Sequence, residues 1–324
     1  MVDGDLGAPL LLSKRGEWAG VEPLPLFDGV PVAAPRLSAE YADMLGLLGA
    51  VQASGERSKR VLDLTEALIY VNSANYTAWD LRWKCLCQLV EDGDTDAFER
   101  EMEFMEDIAA SNAKNYQLWN HRRKCALAIG PDARETELEF TAAVLEDDAK
   151  NYHAWSHRQA IVRAHGLWDE EDAFTLELIG RDVYNNSAWN ERMVVMEHRS
   201  ALCGDPAALR AKEAAGVVSE AVLLAPNNPA PYNYLRGLYA RLGPKQPLCA
   251  DDNAIKVAEA ALSKDPAAVP AVELLADFYS DLSMDGAQNT DAAQQAAALF
   301  SMLKTSDPIR ARYWQHRQAE LVLE

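Results

Sequence analysis

The sequence predicts an all-α solenoid built from helix pairs. An Asn followed four residues later by Trp and seven residues later by Arg occurs at four places, namely Asn75/Trp79/Arg82, Asn115/Trp119/Arg122, Asn151/Trp155/Arg158 and Asn185/Trp189/Arg192. Successive Trp residues are 40, 36 and 34 residues apart, a period that suits a helix-turn-helix unit stacked on copies of itself. These positions hold half of the eight Trp residues, so chance does not explain the pattern.

Each Asn is predicted to open the second helix of a pair, because its side chain can accept backbone N–H bonds at a helix start. Trp and Arg, three residues apart, then lie on one face of that helix. There the Trp can fill the layer between helices and the Arg can pair with a carboxylate of a neighbouring helix. Both roles are structural.

The first helix of each pair is predicted to be amphipathic. In the segment from Asp94 to Ala110, one broad side carries the apolar residues Phe98, Met102, Phe104, Met105 and Ile108. We expect this side to pack inward and the carboxylates of the segment to stay in water.

The two ends of the chain depart from the repeat. Residues 1–35 hold five of the 15 prolines, which favours a disordered start and then an extended arm, whereas 36–324 is predicted to be one solenoid domain whose helices begin near Ser38. After the fourth repeat the pattern decays, since Asn228 is followed by Tyr232 and Leu235 instead of Trp and Arg. A closing helix is predicted over 307–317.

Composition limits the classes of function. Apolar residues make up 49% of the chain, no apolar run reaches the roughly 18 residues that a membrane span needs, and Asp3 and Asp5 lie where a signal peptide is basic. We therefore expect a cytoplasmic protein. A net charge of −19 disfavours general binding to nucleic acids, because phosphate contacts require a basic surface.

Cysteine and histidine spacing does not favour a metal site in this chain. The five cysteines are odd in number and form no CxxC pair, which is typical of reduced, buried thiols. His153 and His157 lie four residues apart, but they lack the flanking Glu of an HExxH site and an obvious third ligand. His121 and His157 both precede the repeat Arg, which indicates a packing role.

Two loops carry a lysine directly before the capping Asn. Residues 113–116 and 149–152 both read Ala-Lys-Asn-Tyr, which places Lys114 and Lys150 at helix starts. A cation there opposes the helix dipole by roughly 0.3–1 kcal/mol. Either a ligand rewards this placement, or both lysines simply face solvent and nearby carboxylates.

The repeats resemble the α-subunit shared by protein farnesyltransferase and type I geranylgeranyltransferase, the two CaaX prenyltransferases. The resemblance spans most of 17–317, is weakest after about 240, and rests on Asn-Tyr-Thr-Ala-Trp (75–79), Lys-Asn-Tyr-Gln-Leu-Trp-Asn-His-Arg-Arg (114–123), Asp-Ala-Lys-Asn-Tyr-His-Ala-Trp-Ser-His-Arg-Gln (148–159), Asn-Asn-Ser-Ala-Trp-Asn-Glu-Arg (185–192) and Ile-Arg-Ala-Arg-Tyr-Trp (309–314).

This resemblance implies a right-handed α-α superhelix that forms a crescent around a β-subunit, its obligate partner. The β-subunit holds the catalytic zinc, and the resemblance allows for Mg²⁺ in the farnesyl reaction. The implied activity is transfer of farnesyl or geranylgeranyl from its diphosphate to the Cys of a C-terminal CaaX motif in a protein substrate.

Site residues follow from the resemblance position by position. Lys114 corresponds to the lysine that reaches the diphosphate as charge builds on the leaving group, and Gln117 to the glutamine that hydrogen-bonds the peptide carboxylate. Tyr116, Asn151, Tyr152 and His153 occupy positions near the diphosphate and the reacting centre. Lys150 has no corresponding catalytic role.

Two alternatives stay open at this point. One is a tetratricopeptide-like scaffold without enzymatic activity, although the Asn/Trp/Arg spacing differs from the pattern of that repeat. The other is the α-subunit of the Rab-specific geranylgeranyltransferase, which shares the helix pairs.

Overall fold

The computed structural model describes residues 11–30, 32–33, 35–284 and 289–321. Every regular element within these ranges is a helix, which confirms the predicted all-α class. The chain divides into two compact units, Met1–Gly166 and Leu167–Glu324. Among the described residues, none of the helices combines the length and apolar character that crossing a membrane requires.

The first unit consists mainly of stacked helix pairs. Its α-helices are α1 (Ala39–Ser54), α2 (Lys59–Val71), α3 (Tyr76–Glu91), α4 (Ala97–Asn112), α5 (Tyr116–Ile129), α6 (Arg134–Asp147) and α7 (Tyr152–His165). Helix α2 packs on α3, α4 on α5, and α6 on α7, while the second helices α3, α5 and α7 contact one another in turn. The core lies between these layers.

The second unit continues the same organisation. Its α-helices are α8 (Trp168–Arg181), α9 (Asn186–Leu202), α10 (Pro206–Glu213), α11 (Ser219–Leu224), α12 (Pro229–Arg241), α13 (Asn253–Lys264), α14 (Val269–Met284), α15 (Thr290–Ser306) and α16 (Ala311–Glu320). A π-helical segment, Ala214–Val218, joins α10 to α11. The predicted closing helix is present as a 3₁₀ turn, Pro308–Arg310, followed by α16, whose Trp314 is fully buried.

The repeated Asn residues cap the second helices, as the sequence predicts. The side-chain oxygens of all four accept backbone N–H bonds from the first turn of the helix that follows, at Asn75, Asn115, Asn151 and Asn185. The four repeat Trp side chains are at most 8% exposed. The Asn and Trp positions are therefore structural.

For Trp79, Trp119 and Trp189, one loop carbonyl connects the Trp to the Asn of the next repeat. The carbonyl oxygen of Ala113 accepts a bond from Nε1 of Trp119 at 2.7 Å and a second bond from Nδ2 of Asn151 at 3.2 Å. In the same way the carbonyl of Ser73 accepts from Trp79 at 2.9 Å and from Asn115 at 2.6 Å. The carbonyl of Val183 accepts from Trp189 at 2.9 Å and from Asn228 at 2.8 Å. Each of these carbonyl oxygens thus accepts two hydrogen bonds, one for each lone pair.

The repeat extends further than the sequence pattern suggests. Tyr232 occupies the Trp position of the next repeat, and its hydroxyl donates to the carbonyl of Pro226 at 2.7 Å, six residues back as in the earlier repeats. Asn228 caps α12, and Leu235 fills the Arg position as a fully buried side chain. Tyr232 and Leu235 therefore keep the buried positions of the repeat Trp and Arg, but Leu235 cannot form the ion pair that the Arg makes.

The N-terminal arm is anchored to the first helices. The predicted disordered start falls partly on residues 1–10, which lie outside the described residues. From residue 11 the arm forms 3₁₀ turns at Leu12–Lys14 and Gly16–Trp18, where the sequence predicts none. Trp18 is 2% exposed and lies under the guanidinium of Arg60, which explains why this turn is ordered.

We expect Trp119→Ala to lower the free energy of unfolding by about 3–5 kcal/mol, because it leaves a large cavity. Trp119→Phe keeps most of the volume and loses the indole bond, while Asn151 still donates to Ala113. Its cost should be about 1 kcal/mol. Chemical denaturation of both variants measures the difference, and an unchanged stability for Trp119→Ala would contradict a core role.

Candidate functional site

Buried carboxylates join successive repeats. Oε1 of Glu101, on α4, accepts a bond from Nε of Arg82 at 2.7 Å and lies 2.8 Å from Nε2 of His121. Glu137, on α6, bonds Arg122 and His157 in the same way. The prediction that the carboxylates of the 94–110 segment stay in water is therefore wrong for Glu101, which is 1% exposed, because two cationic or donor groups compensate its burial.

The pKa values in this network follow from burial and from the neighbours. Burial alone would raise the pKa of Glu137, but the hydrogen bond from His157 and the charge of Arg122 outweigh it and lower the pKa. Burial lowers the pKa of His157, whose Nδ1 has no hydrogen-bond partner among the described residues. Burial therefore disfavours the protonated form of His157 in the folded protein.

The histidines before the repeat Arg residues have the packing role that the sequence predicts. The ring of His121 lies 4.9 Å from that of Trp79, and the ring of His157 lies 5.5 Å from that of Trp119. Within the described ranges, no group of three or more His, Cys, Asp or Glu side chains could hold a metal ion.

Lys114 lies on the loop between α4 and α5, next to Ala113, whose carbonyl oxygen accepts two hydrogen bonds. Its side chain is 75% exposed, and Nζ lies 3.1 Å from Oδ2 of Asp148. The hydrogen bond from Lys114 lowers the pKa of Asp148, so this carboxylate is ionised at neutral pH. The structure thus presents an exposed cation on a loop whose carbonyl, that of Ala113, accepts two hydrogen bonds.

A cavity of about 340 Å³ opens beside Lys114. Its lining combines the apolar side chains of Phe140 and Val144 with Lys114, Asn151 and three carboxylates, those of Glu106, Asp147 and Asp148. The predicted site residues Tyr116, Gln117, Tyr152 and His153 do not line it. Among the lining residues Lys114 carries the one positive charge, so an anion at this place would depend on its ammonium.

Lys150 has the same local sequence as Lys114 but a different environment. Its backbone N–H donates to Oδ1 of Asp148 at 3.1 Å, and its side chain is exposed. Lys114 and Lys150 therefore contact opposite oxygens of one carboxylate, the first through its ammonium and the second through its backbone.

Three of the predicted site residues form an aromatic group at the starts of α5 and α7. The ring of His153 lies 4.3 Å from that of Tyr116 and 5.6 Å from that of Tyr152, edge to face in both cases. Tyr116 and Tyr152 are 70% and 69% exposed, and desolvation lowers the pKa of His153. A neutral imidazole between two exposed rings can accept or donate one hydrogen bond to a ligand.

Gln117 and Asn151 differ in how accessible they are. Gln117 lies half-buried in the first turn of α5, one residue beyond Tyr116. Asn151 is 2% exposed, its oxygen accepts bonds from the N–H groups of His153 and Ala154, and its nitrogen bonds Ala113. The Asn151 side chain thus holds the Lys114 loop, and its predicted contact with substrate stays a prediction.

Sequence reasoning missed Glu101, Glu137 and Asp148. A signal for Glu101 was present, because it lies three residues after Phe98 and four before Met105, on the apolar face of its helix. Asp148 gives no such signal, since its contact with Lys114 joins loops of successive repeats.

Both the repeat and the fold of this chain are similar to those of known proteins. Residues 58–89, 98–129, 134–165 and 168–199 match the protein prenyltransferase alpha subunit repeat. Candida albicans protein geranylgeranyltransferase-I complexed with GGPP is similar in structure, with a TM-score of 0.75, 26% identity, and coverage of 93% of this chain and 97% of that chain. The fold is thus that of a prenyltransferase α-repeat protein.

Similarity in sequence then identifies the family. The protein farnesyltransferase/geranylgeranyltransferase type-1 subunit alpha of Arabidopsis thaliana is 40% identical over 96% of this chain and 97% of its own length. The subunit of the same name from Pisum sativum is 37% identical over 99% and 97%. The chain belongs to the family of α-subunits shared by protein farnesyltransferase and geranylgeranyltransferase type 1, which are transferases.

We expect Glu137→Gln to destabilise the protein by about 3–5 kcal/mol at pH 7, because the buried Arg122 would lose its buried counter-charge and keep only the longer contact with the half-exposed Glu106, at 3.4 Å. Glu139→Gln, at an exposed position on the same helix, is the matched control and should change little. Chemical denaturation at pH 7 measures both, and equal losses would contradict the role of the buried pair.

The same carboxylate predicts a pH dependence. The folded-state pKa of Glu137 lies below 4.5, so its stabilisation is present above that pH and is lost as pH falls. The pKa of His157 is also lowered in the folded protein, so below pH 6.5 the unfolded chain takes up this proton more readily than the folded protein does. Acid therefore lowers the unfolding free energy through His157 as well. The unfolding free energy should therefore fall from pH 7 to pH 4, and a rise would contradict these pKa directions.

Proposed function

We propose that this chain is the α-subunit of a heterodimeric protein prenyltransferase that transfers farnesyl or geranylgeranyl from its diphosphate to the Cys of C-terminal CaaX motifs. Family membership supports the subunit and the reaction class, and the structural relative is a complex with GGPP. The observation that carries the site is the exposed ammonium of Lys114, the side chain that the family resemblance assigns to the diphosphate.

The chemistry is an S-alkylation. The Cys thiolate of the substrate forms a bond to C1 of the isoprenoid as the bond from C1 to the diphosphate oxygen breaks, and diphosphate leaves with the electron pair. Negative charge on the leaving group is larger in the transition state than in the ground state, so the ammonium of Lys114 there lowers the barrier.

The other residues take supporting roles around this cation. Tyr116, Tyr152 and His153 form a wall beside the diphosphate, and Gln117 hydrogen-bonds the peptide carboxylate. Asn151 holds the loop of Lys114 through Ala113. The catalytic zinc belongs to the β-subunit, which binds this chain as its obligate partner in the cytoplasm, and any Mg²⁺ would accompany the farnesyl diphosphate.

We expect Lys114→Ala in the assembled enzyme to slow the chemical step by about ten- to a few hundred-fold, near or below the loss of one strong oxyanion donor. Lys150→Ala, the same change in the same local sequence, should have a clearly smaller effect. Single-turnover rates measure both, because slow product release can mask the chemical step in steady-state rates.

Two outcomes would contradict this role of Lys114. Equal effects at the two lysines would indicate a general electrostatic influence, and an unchanged single-turnover rate for Lys114→Ala would remove the proposed catalytic residue. The affinity for the CaaX peptide serves as an internal control, since it should barely change in either variant.

The subunit assignment has its own test. The chain expressed alone should not turn over prenyl diphosphate, and co-expression with the prenyltransferase β-subunit of the same organism should restore activity. Activity from the isolated chain would contradict the assignment. A stable native complex without such a β-subunit would instead favour a scaffold.

A further inference from the structure

The ion pair between Lys114 and Asp148 has a consequence for diphosphate binding. We propose that Asp148 is a positioning residue that holds the ammonium of Lys114 when no substrate is bound and competes with the diphosphate for it. This inference rests on the proposed function of Lys114 and adds a second residue to that site. Asp148 itself is not proposed to touch the reacting atoms.

Three hydrogen bonds with backbone groups of neighbouring residues hold Asp148 in place. Its N–H donates to the carbonyl of Val144 at 3.0 Å, and its own carbonyl accepts from the N–H of Asn151 at 2.9 Å. Its Oδ1 accepts from the N–H of Lys150 at 3.1 Å. These bonds set the direction of the carboxylate and leave Oδ2 for Lys114 at 3.1 Å.

The backbone on the other side of the pair is also fixed. The carbonyl of Ala113 is held by Trp119 and by Asn151, so the loop that carries Lys114 has little freedom. The Lys114 side chain, in contrast, is flexible and 75% exposed. The ammonium can therefore move from Asp148 to an anion within reach of the side chain without a change in the backbone.

Electrostatics make this exchange favourable. An exposed pair of single charges is weak in water, whereas a diphosphate offers several negative charges to the same cation. Moving the ammonium to the diphosphate breaks its ion pair with Asp148, and the free energy of that lost pair is subtracted from the binding free energy of the diphosphate. Asp148 thus weakens the binding of both the substrate diphosphate and the product diphosphate, which favours product release.

The turn at Asp148 does not require a carboxylate. In the first repeat Asn72 lies at the equivalent position, and its Oδ1 accepts from the N–H of Ala74 at 3.2 Å, as Asp148 accepts from Lys150. Asp148→Asn therefore removes the charge and keeps the turn. Ser can accept the same backbone bond, so Asp148→Ser is a second variant with the same expected behaviour.

The test is the affinity of the assembled heterodimer for inorganic diphosphate, measured by calorimetry at low salt. Asp148→Asn and Asp148→Ser should tighten binding by about two- to five-fold, the range expected for release of an exposed ion pair. Asp147→Asn, the same charge change one residue earlier and on the same cavity, is the matched control and should have a clearly smaller effect. High salt should reduce the gain.

A double-mutant cycle decides whether the effect passes through Lys114. In the Lys114→Ala background, Asp148→Asn should give no gain in diphosphate affinity. A gain that persists there, equal gains at Asp147 and Asp148, or no gain from either Asp148 variant would each overturn the proposal.

The same data separate this proposal from the proposed function. If Lys114→Ala weakens diphosphate binding and slows the chemical step while the Asp148 variants match wild type, only the inference about Asp148 is wrong. If Lys114→Ala changes neither quantity, the proposed role of Lys114 fails, and the proposal about Asp148 fails with it.

Discussion

The loop carbonyl shared by two repeats is the interaction on which the rest of the structure depends. Ala113 shows it most clearly, since its oxygen accepts one bond from the Trp of its own repeat and one from the Asn of the next. Each bond contributes about 0.5–1.5 kcal/mol. Both donors reach the carbonyl only when the two repeats are stacked in register. The loop that enters the second helix is therefore held from both sides, by its own repeat and by the next.

A buried network of charges gives the second constraint on register. Glu101 bonds Arg82 of one repeat and His121 of the next, and without Glu101 the buried Arg82 would keep only its longer contact with Glu66, at 3.5 Å, as a counter-charge. Such a carboxylate adds little net stability compared with an apolar side chain of similar volume. Its effect is to favour the arrangement in which both partners reach it.

The parts of this structure that repeat could be predicted from the sequence. The capping Asn and the buried Trp recur at fixed spacing, so chance and local propensity cannot explain them. Glu101 was misassigned because a carboxylate was assumed to stay in water, although its position on the apolar face contradicted that assumption. Tyr232 was interpreted as a loss of the pattern. The sequence does not show that its hydroxyl bonds the carbonyl six residues back, as the indole N–H of each repeat Trp does. Asp148 meets Lys114 only in three dimensions.

A structural repeat becomes a candidate site here by a small change. The Lys114 loop has the same hydrogen bonds as the loop of the first repeat, where Ala74 precedes the capping Asn. Placing a lysine at this position costs a little against the helix dipole, and the nearby Asp148 offsets that cost. The rigid loop then fixes the base of the side chain, while the ammonium stays free to change partners. Lys150 follows the same backbone pattern, so chemical differences between the two lysines must arise from their surroundings and not from their local sequence.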